Sequence, residues 1–403
     1  MQSVDKYNIN LLGDAEQALR IGALKDLMLA SGISYALIRD NANIYYLTGR
    51  VFRGFLFIST ALERPRYFVR QPNHLVSAHE GEVHFIRKPE DIPALLAAEG
   101  ITIDAAVALE LDAISCSEAK RLAACFGQLP DVNISPLLRH TRAVKTPYEL
   151  ARLRESGIKQ SLVYSRLPHL YREGMTDVEF QIEIERASRL EGCLGQFRVC
   201  GADMELFMGN VLTGENADTP SPYDFAMGGE GCDPSIPVGA NGTIIRPNAP
   251  VMVDVNGNYN GYMTDMTRMY IDGEPSEEAQ RALDLSIAIC DALAAMMQPG
   301  AKAADLFLKA QEMAAEAGMA DYFMGHRSHA GFVGHGVGIE INEMPVLAPR
   351  SRDILQAGNV IAVEPKFVIP GIGAVGIENT YVVGESAPAE AITTASTAFV
   401  RLA

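Results

Sequence analysis

Residues 251–270, VMVDVNGNYNGYMTDMTRMY, form two apolar stretches on either side of the turn-forming segment GNYNG. Each stretch contains one acid, Asp254 in the first and Asp265 in the second. A centred turn places these carboxylates opposite or nearly opposite each other on facing strands of a hairpin. Like charges on an apolar hairpin repel each other unless a cation lies between them. The pair therefore binds a metal ion, or else one acid points to solvent or pairs with Arg268.

Residues 360–383, VIAVEPKFVIPGIGAVGIENTYVV, repeat this arrangement with Glu364 and Glu378 on either side of a PGIG turn. His335 lies in a third, glycine-rich segment, GFVGHGVGIEINEMP (331–345). A single histidine there would usually be an ordinary core residue, but beside four buried acids it becomes a candidate nitrogen ligand. The sequence thus predicts one metal site, made by Asp254, Asp265, His335, Glu364 and Glu378.

Each acidic strand pair follows a similar helical segment. REGMTDVEFQIEIERASRLEG (172–192) and QPGAKAADLFLKAQEMAAEAG (298–318) both contain a helix-ending glycine followed by a helix of similar length. A duplicated helix–helix–hairpin unit predicts two pseudo-symmetric halves whose sheets join, with helices on one side and a cleft on the other. Chance similarity between two amphipathic helices is the alternative interpretation.

The first part of the chain alternates helical and strand-like patterns, which is typical of an α/β layer. Thr146-Pro147 is a typical helix start, and the pattern predicts a long helix from there to about Tyr171. A second helix is expected after a cap at Thr176 or Asp177. The fold class is therefore α/β (α+β), with an N-terminal domain of residues 1–145 and a second domain of residues 146–403.

Composition excludes several classes of function. The net charge of −16 opposes binding to nucleic acids or anionic membranes. We find no apolar run near the roughly 18 residues of a membrane span, and no secretory signal at the start. The six cysteines are scattered without a CxxC pair, which favours reduced thiols in a cytoplasmic protein.

The ligand types restrict the metal. Oxygen-rich sites with one imidazole suit Mn²⁺, Co²⁺, Fe²⁺ or Zn²⁺. Acids shared between ions are typical of dinuclear centres, in which two ions about 3.5–4 Å apart activate a bridging water. We therefore expect two divalent metal ions as cofactors.

The order Asp, Asp, His, Glu, Glu, in the motifs DVNGNYNGYMTDMTR (254–268), GHGVGIEINE (334–343), AVEP (362–365) and GIEN (376–379), resembles the pita-bread metallopeptidases. These include methionine aminopeptidase, aminopeptidase P and prolidase. DNANIYYLTG (40–49) resembles the creatinase-type N-terminal domain of the prolidase branch.

The resemblance implies several properties of this chain. It implies a pita-bread catalytic domain, metal ligation by the five residues named above, and Glu364 as general base toward the bridging water. It also implies a small peptide or small amide as substrate, and a homodimer.

Three positions depart from the family pattern. Peptide-cleaving members have imidazoles where this chain has Val238 and Asn342, and prolidase-branch members often have arginine where it has Gly376. Asn342 retains an NH₂ donor for substrate, so we include it among the candidate catalytic residues. The other replacements that we consider are His329 and His326, which precede the ligand strand, and Tyr223 and Asp224, in a Gly- and Pro-rich stretch (219–237) expected to line the cleft.

The sequence thus favours a metal-dependent hydrolase related to Xaa-Pro dipeptidases and aminopeptidases, with catalytic residues Glu364, His329 and Asn342. The main alternative is a non-peptidase hydrolase or lyase of a small metabolite on the same metal scaffold, because both substrate-handling imidazoles are absent. Metal-free chemistry like that of creatinase, and a non-catalytic binding protein, are further alternatives that retention of all five ligands disfavours.

Overall fold

The computed structural model describes residues 6–201, 207–223, 225 and 227–402. The chain divides into two compact units, Met1–Arg142 and Ala143–Ala403, called here the N-terminal and C-terminal units. The predicted domain boundary after residue 145 lies close to this division. Among the described residues, no helix is both long enough and apolar enough to cross a membrane.

The N-terminal unit is an α/β layer. Its strands are β1 (Tyr35–Ile38), β2 (Arg53–Ser59), β3 (Arg66–Gln71), β4 (Val83–Phe85) and β5 (Val107–Leu109), and its helices are α1 (Asp14–Ala30), α2 (Asn41–Thr48), α3 (Ile92–Ala98), α4 (Cys116–Cys125) and α5 (Ser135–Ala143). The described strands form a mixed sheet in the order β4-β3-β2-β1-β5. Buried side chains of this sheet pack with Leu96 of α3 and Leu122 of α4 in one apolar cluster.

The C-terminal unit combines four α-helices with many short strands among its described residues. The helices are α6 (Pro147–Tyr164), α7 (Asp177–Leu190), α8 (Glu277–Met296) and α9 (Ala303–Glu316). The strands are β6 (Gly209–Thr213), β7 (Pro250–Val255), β8 (Gly257–Asn258), β9 (Met263–Thr264), β10 (Thr267–Ile271), β11 (Gly334–Gly336), β12 (Glu343–Leu347), β13 (Val360–Val363), β14 (Lys366–Ile369), β15 (Gly373–Gly376), β16 (Asn379–Val382), β17 (Glu390–Ala391) and β18 (Val400–Arg401).

Two larger sheets organise the described strands of this unit. One has the order β18-β10-β7-β6 and the other the order β12-β11-β13-β16-β17, while β8-β9 and β14-β15 form short two-stranded ladders. Alternating residues of β7 enter different clusters: Val251 and Val253 pack with residues of α6 and α7, whereas Met252 packs with residues of α8 and α9. Two helix pairs therefore accompany the two acidic strand pairs, as the duplicated pattern predicts.

Both acidic hairpins are interrupted at the acids. In the first, Asp254 pairs with Thr267 and Gly257 pairs with Thr264, so Asp265 faces Asn256. Asp254 and Asp265 are thus diagonal neighbours and do not lie directly opposite each other.

The second hairpin is interrupted in the same way, between β13 and β14 and between β15 and β16. Val363 pairs with Asn379 and Lys366 pairs with Gly376, so Glu364 and Glu378 face each other across the break. Pro365 contributes to this break because proline has no N–H to donate to the ladder.

The helix starts follow the predicted signals. Thr146 accepts a hydrogen bond from Glu149 N, and Glu149 caps Thr146 in return; Thr176 and Glu179 form the same capping box at α7. The predicted end of α6 at about Tyr171 is wrong, since the helix ends at Tyr164. Pro168 explains the difference, because its ring would clash with the carbonyl of residue 164 in a continued helix.

Candidate metal centre

The strand breaks bring five side chains together: Asp254, Asp265, His335, Glu364 and Glu378, called here the cluster. Two overlapping groups within it each offer three ligand atoms that lie within 4.8 Å of one another. The first, called here the histidine subsite, consists of Asp265, His335 and Glu378. The second, called here the lysine subsite because its acids surround Lys366, consists of Asp254, Glu364 and Glu378.

Hydrogen bonds between the two hairpins hold the acids in place. Thr380 Oγ1 accepts from the Asp265 N–H at 2.9 Å and donates to the Asp265 carbonyl at 2.8 Å. Thr267 Oγ1 donates to Glu378 Oε2 at 2.8 Å, and the Glu378 N–H donates to the Thr267 carbonyl at 3.2 Å. The threonine two positions after an acid of one hairpin thus fixes an acid of the other.

Arg268 lies behind the cluster. Its guanidinium donates to the carbonyls of Thr267 and Glu378 at 2.8 and 2.7 Å and to Asn379 Oδ1 at 2.7 Å. Its recorded side-chain bonds go to these groups and to a further carbonyl. These bonds direct the Arg268 guanidinium to backbone carbonyls and Asn379, and not to Asp254 or Asp265.

His335 presents one ring nitrogen to the cluster. Its Nδ1 lies 3.1 Å from the Gly336 carbonyl, and because a carbonyl can only accept, Nδ1 carries the proton. The Nε2 atom lies 3.4 Å from Glu364 Oε1. Burial would lower the pKa of His335, but the hydrogen bond and charge of Glu364 outweigh it and raise this pKa to about 8. In the neutral ring, Nε2 carries the lone pair. This tautomer is the one that a metal-binding imidazole requires.

A lysine lies inside the cluster. Lys366 is fully buried, and its Nζ lies 2.7 Å from Asp254 Oδ2, 2.7 Å from Glu364 Oε2 and 3.6 Å from Glu378 Oε2. These three acids are those of the lysine subsite. Lys366 is a functional residue that the acid-and-imidazole pattern does not predict, although a lysine within the apolar run VIAVEPKFVI (360–369) is a visible signal.

The proton affinities of these groups reflect crowding of charge. Burial, and then the charge of Asp254, raise the pKa of Asp265 to about 7. Burial and then the charge of Asp265 also raise the pKa of Glu378 above its usual range. Burial would lower the pKa of Lys366, but the surrounding carboxylates outweigh it and raise this pKa.

A cavity of about 300 Å³ opens onto the cluster. Its polar lining includes Asn210 and Asn256, and its apolar lining consists of Phe197, Met208, Phe225, Met227, Phe332, Ile341 and Val346. Asn210 is buried, and its Oδ1 has no hydrogen-bond partner among the described residues. Phe225 and Met227 belong to the Gly- and Pro-rich stretch that was expected to line the cleft.

Asn342 lies in the cavity wall with its amide engaged. Its Oδ1 accepts from the Cys200 N–H at 2.7 Å, and its Nδ2 donates to the Cys200 carbonyl at 2.9 Å. The Ile341 N–H donates to the Arg198 carbonyl at 2.8 Å beside this pair. Asn342 therefore fixes the segment that carries Phe197 and Cys200 into the cavity wall.

The other predicted substitutes lie elsewhere. His329 is exposed, its Nδ1 lies 2.9 Å from the Phe323 carbonyl, and it lines a neighbouring cavity of about 80 Å³. His326, which pairs with Asp218, and Tyr223 line that same cavity. Asp224 lies outside the described residues. Among the described residues, His329 therefore lines the neighbouring cavity and not the cavity that contains the cluster.

The residues present fit a divalent metal ion. Glu378 Oε1 is buried and, within the described part of the chain, has no hydrogen-bond partner. An orphaned buried carboxylate oxygen is costly unless a cation or proton satisfies it. Together with Asp265 and Nε2 of the neutral His335 ring, it forms an oxygen and nitrogen donor set suited to such an ion.

Comparison with known proteins agrees with this geometry. The model of metallopeptidase family M24 matches residues 151–385, and that of the creatinase/prolidase N-terminal domain matches residues 20–144. An Xaa-Pro dipeptidase of Lactobacillus delbrueckii subsp. lactis is 26% identical over 379 residues, covering 90% of this chain and 93% of the relative.

Solved structures show the same fold. An Xaa-Pro dipeptidase from Bacillus anthracis matches with a TM-score of 0.78 and 22% identity, covering 96% of this chain and 100% of that one. An X-Pro aminopeptidase from Thermotoga maritima MSB8 matches with a TM-score of 0.76 and 21% identity, covering 94% and 99% of the two chains.

The fold and the acid-and-imidazole cluster define an enzyme of the metallohydrolase class. The chain belongs to metallopeptidase family M24, whose model matches more than half of its 403 residues. Membership implies bound divalent metal ions. The predicted resemblance to the pita-bread metallopeptidases and the predicted fold class are confirmed.

Proposed function

We propose that this chain is a metal-dependent dipeptidase that acts on small peptides, with Xaa-Pro dipeptides as its preferred substrates. The observation that carries the proposal is the cluster itself, with four acids and one imidazole side by side at the wall of one cavity. Relatives matching nine-tenths of the chain are named Xaa-Pro dipeptidases, which disfavours the alternative of a non-peptidase hydrolase or lyase.

The cavity supports a small substrate. A volume of about 300 Å³ is at the lower end of the usual range for ligand sites. Its aromatic and aliphatic walls suit an apolar side chain or a proline ring. Asn210 of β6 pairs with Asp254 of β7. Its Oδ1, which has no hydrogen-bond partner among the described residues, is placed to accept a hydrogen bond from a substrate N–H.

The proposed ligands are the five residues of the cluster. When bound, a divalent ion supplies Lewis acidity, which polarises a carbonyl and makes a water more acidic. Mn²⁺, Co²⁺, Fe²⁺ and Zn²⁺ all suit this donor set, with manganese our first choice. The expectation of two ions stays a prediction.

Glu364 is the proposed general base. Burial would raise the pKa of Glu364, but Lys366 and His335 outweigh it and lower this pKa to about 2. The group is therefore ionised at neutral pH, as a proton acceptor must be. The catalytic roles of His329 and Asn342 stay predictions, and the contacts of Asn342 favour a positioning role.

We also propose a cellular location and an oligomeric state. The scattered cysteines, which include no CxxC pair, support a cytoplasmic location, and the family resemblance supports a homodimer. We also keep residues 1–145 as the creatinase-like N-terminal domain and residues 146–403 as the catalytic domain.

An assay of dipeptide cleavage tests the proposal. Chelator-treated enzyme supplied with Mn²⁺ or Co²⁺ should cleave Xaa-Pro dipeptides faster than the matching Xaa-Ala dipeptides. Glu364→Gln should lower kcat by about 10²–10⁴-fold, because the proton acceptor is lost. Glu278→Gln, an exposed glutamate on α8, is the matched control and should keep full activity. Bound metal without cleavage of any dipeptide would remove the peptidase assignment.

A further inference from the structure

The side chain of Lys366 occupies the centre of the lysine subsite. Its ammonium lies within 2.7 Å of an oxygen of both Asp254 and Glu364, and 3.6 Å from Glu378 Oε2. The same three carboxylates are those whose oxygens converge closely enough to hold a metal ion. A divalent ion at that point would have to share its three ligands with the ammonium.

The ammonium is held in place by its surroundings. The Lys366 carbonyl accepts from the Met324 N–H at 2.8 Å, and the side chain is fully buried. On the facing strand, Lys366 pairs with Gly376, where a Cβ would come within 3.1 Å of Lys366 Cγ and 2.8 Å of Lys366 Cα. The absence of a side chain at position 376 thus leaves space for the lysine stem beside the cluster.

The histidine subsite differs in its contacts. The ammonium makes its close contacts with Asp254 and Glu364, and Glu378 Oε1 is left without a partner among the described residues. In its neutral form, the His335 ring also offers the lone pair of Nε2. This subsite therefore has three donors that an ion can use without displacing Lys366.

Charge balance also favours one divalent ion over two. Four carboxylates with one ammonium and one divalent ion keep one net negative charge, whereas a second divalent ion would leave the buried cluster positive. Two cations competing for the same carboxylates also repel each other strongly in a buried site.

We propose that the ammonium of Lys366 takes the place of one metal ion, so that this enzyme binds a single divalent ion in the histidine subsite. The inference rests on the proposed metal-dependent function. It changes the expected cofactor from a pair of ions to one ion and a fixed organic cation. Asp254 is then a partner of Lys366 and not a metal ligand.

Metal stoichiometry of the full chain tests this inference. Chelator-treated protein is titrated with Mn²⁺, and bound metal is measured by calorimetry and by elemental analysis after desalting. We expect one ion per chain in the wild type and two in Lys366→Met, with the spin coupling of a Mn²⁺ pair in the electron paramagnetic resonance spectrum of the variant alone. Lys145→Met is the matched control: Lys145 is also buried and paired with a glutamate, Glu343, at 2.9 Å, and this variant should bind one ion.

A second pair of variants decides the matter if Lys366→Met does not fold. Asp254→Asn should keep the single ion, whereas Asp265→Asn should lose it. Two ions in the wild type, or one ion in both the wild type and Lys366→Met, would overturn the role of Lys366 while leaving metal-dependent cleavage intact. Loss of the ion in Asp254→Asn would overturn it as well. A wild type that binds no ion and still cleaves dipeptides would instead overturn the proposed metal dependence together with this inference.

Discussion

At the scale of single residues, Asn342 shows how the same position can serve a different purpose from the one its motif implies. The motif places an imidazole there in peptide-cleaving relatives, whereas this chain uses an amide whose two ends bind one backbone residue, Cys200. An amide can form these two hydrogen bonds because it carries both a donor and an acceptor. Residue type alone therefore does not reveal whether the side chain faces substrate or backbone.

Asn342→Ala tests whether this residue positions the cavity wall. Loss of both hydrogen bonds to Cys200 should free the wall segment and raise the KM for an Xaa-Pro dipeptide about tenfold, a loss of about 1–2 kcal/mol. The kcat should change far less, because the cluster is untouched. Steady-state kinetics measure both constants, and Asn342→Gln, which keeps both the donor and the acceptor, should show a smaller rise in KM. A large fall in kcat at constant KM would instead support the direct catalytic role predicted from the sequence.

Lys366 and the two threonines are residues that periodicity does not single out. Asp265 and Thr267, Glu378 and Thr380, and Glu364 and Lys366 are each separated by two positions. This spacing places both members of a pair on one face of an extended strand, so a polar residue two positions from a predicted ligand is a useful signal.

At the scale of elements, the glycines beside His335 have a steric role. A Cβ at Gly334 would lie 2.4 Å from the Ala362 carbonyl oxygen, and one at Gly336 would lie 2.2 Å from the Met344 carbonyl oxygen. β11 therefore needs glycine at both positions to pack between β12 and β13. The ligand strand is fixed by close backbone packing on both sides.

In the N-terminal unit, Glu110 connects the end of β5 with the start of α2. It accepts from the N–H groups of Arg39 and Asp40 and from Asn43 Nδ2, and it is buried. Burial, reinforced by the charge of Asp40 and opposed by these donors, raises the pKa of Glu110 to about 7. The folded state therefore holds a proton that the unfolded chain releases between its usual pKa and about pH 7.

This linkage predicts a pH-dependent stability. Because the folded state binds the extra proton, the free energy of unfolding falls as the pH rises through that window, by up to about 3 kcal/mol for this group. Glu110→Gln cannot titrate, so the difference between its urea midpoints at pH 5 and pH 8 should be smaller than that of the wild type. Glu80→Gln, an exposed glutamate of the same unit, should behave like the wild type. An equal pH dependence in Glu110→Gln would show that Glu110 is ionised throughout.

At the scale of the whole molecule, the cluster joins segments that are far apart in the chain, from Asp254 to Glu378. Hydrogen bonds between Asp265 and Thr380, and between Thr267 and Glu378, connect the two hairpins across more than a hundred residues. A cation in this cluster therefore stabilises the packing of one half of the C-terminal unit on the other.

Removal of metal should consequently lower the stability of the protein. At a free Mn²⁺ concentration about 100 times the dissociation constant, binding to the folded state contributes about 2.7 kcal/mol. We expect a chelator to lower the thermal midpoint and Mn²⁺ to restore it in the wild type and in Glu278→Gln. Asp265→Asn should show no gain from Mn²⁺. A gain of the same size in Asp265→Asn would place the stabilising ion outside the cluster.

The sequence by itself determined the class of fold, the family and the five residues that meet in the cluster, because apolar periodicity, turn residues and motif order are local properties of a chain. Tertiary structure decided where the strands break, that Lys366 lies among the acids and that Asn342 faces the Cys200 backbone. These features depend on contacts between segments more than a hundred residues apart, as with Lys366 and Asp254 or Asn342 and Cys200. Such contacts leave no periodic trace in the sequence: the lysine in an apolar run shows that Lys366 needs a partner, but not which distant acid supplies it.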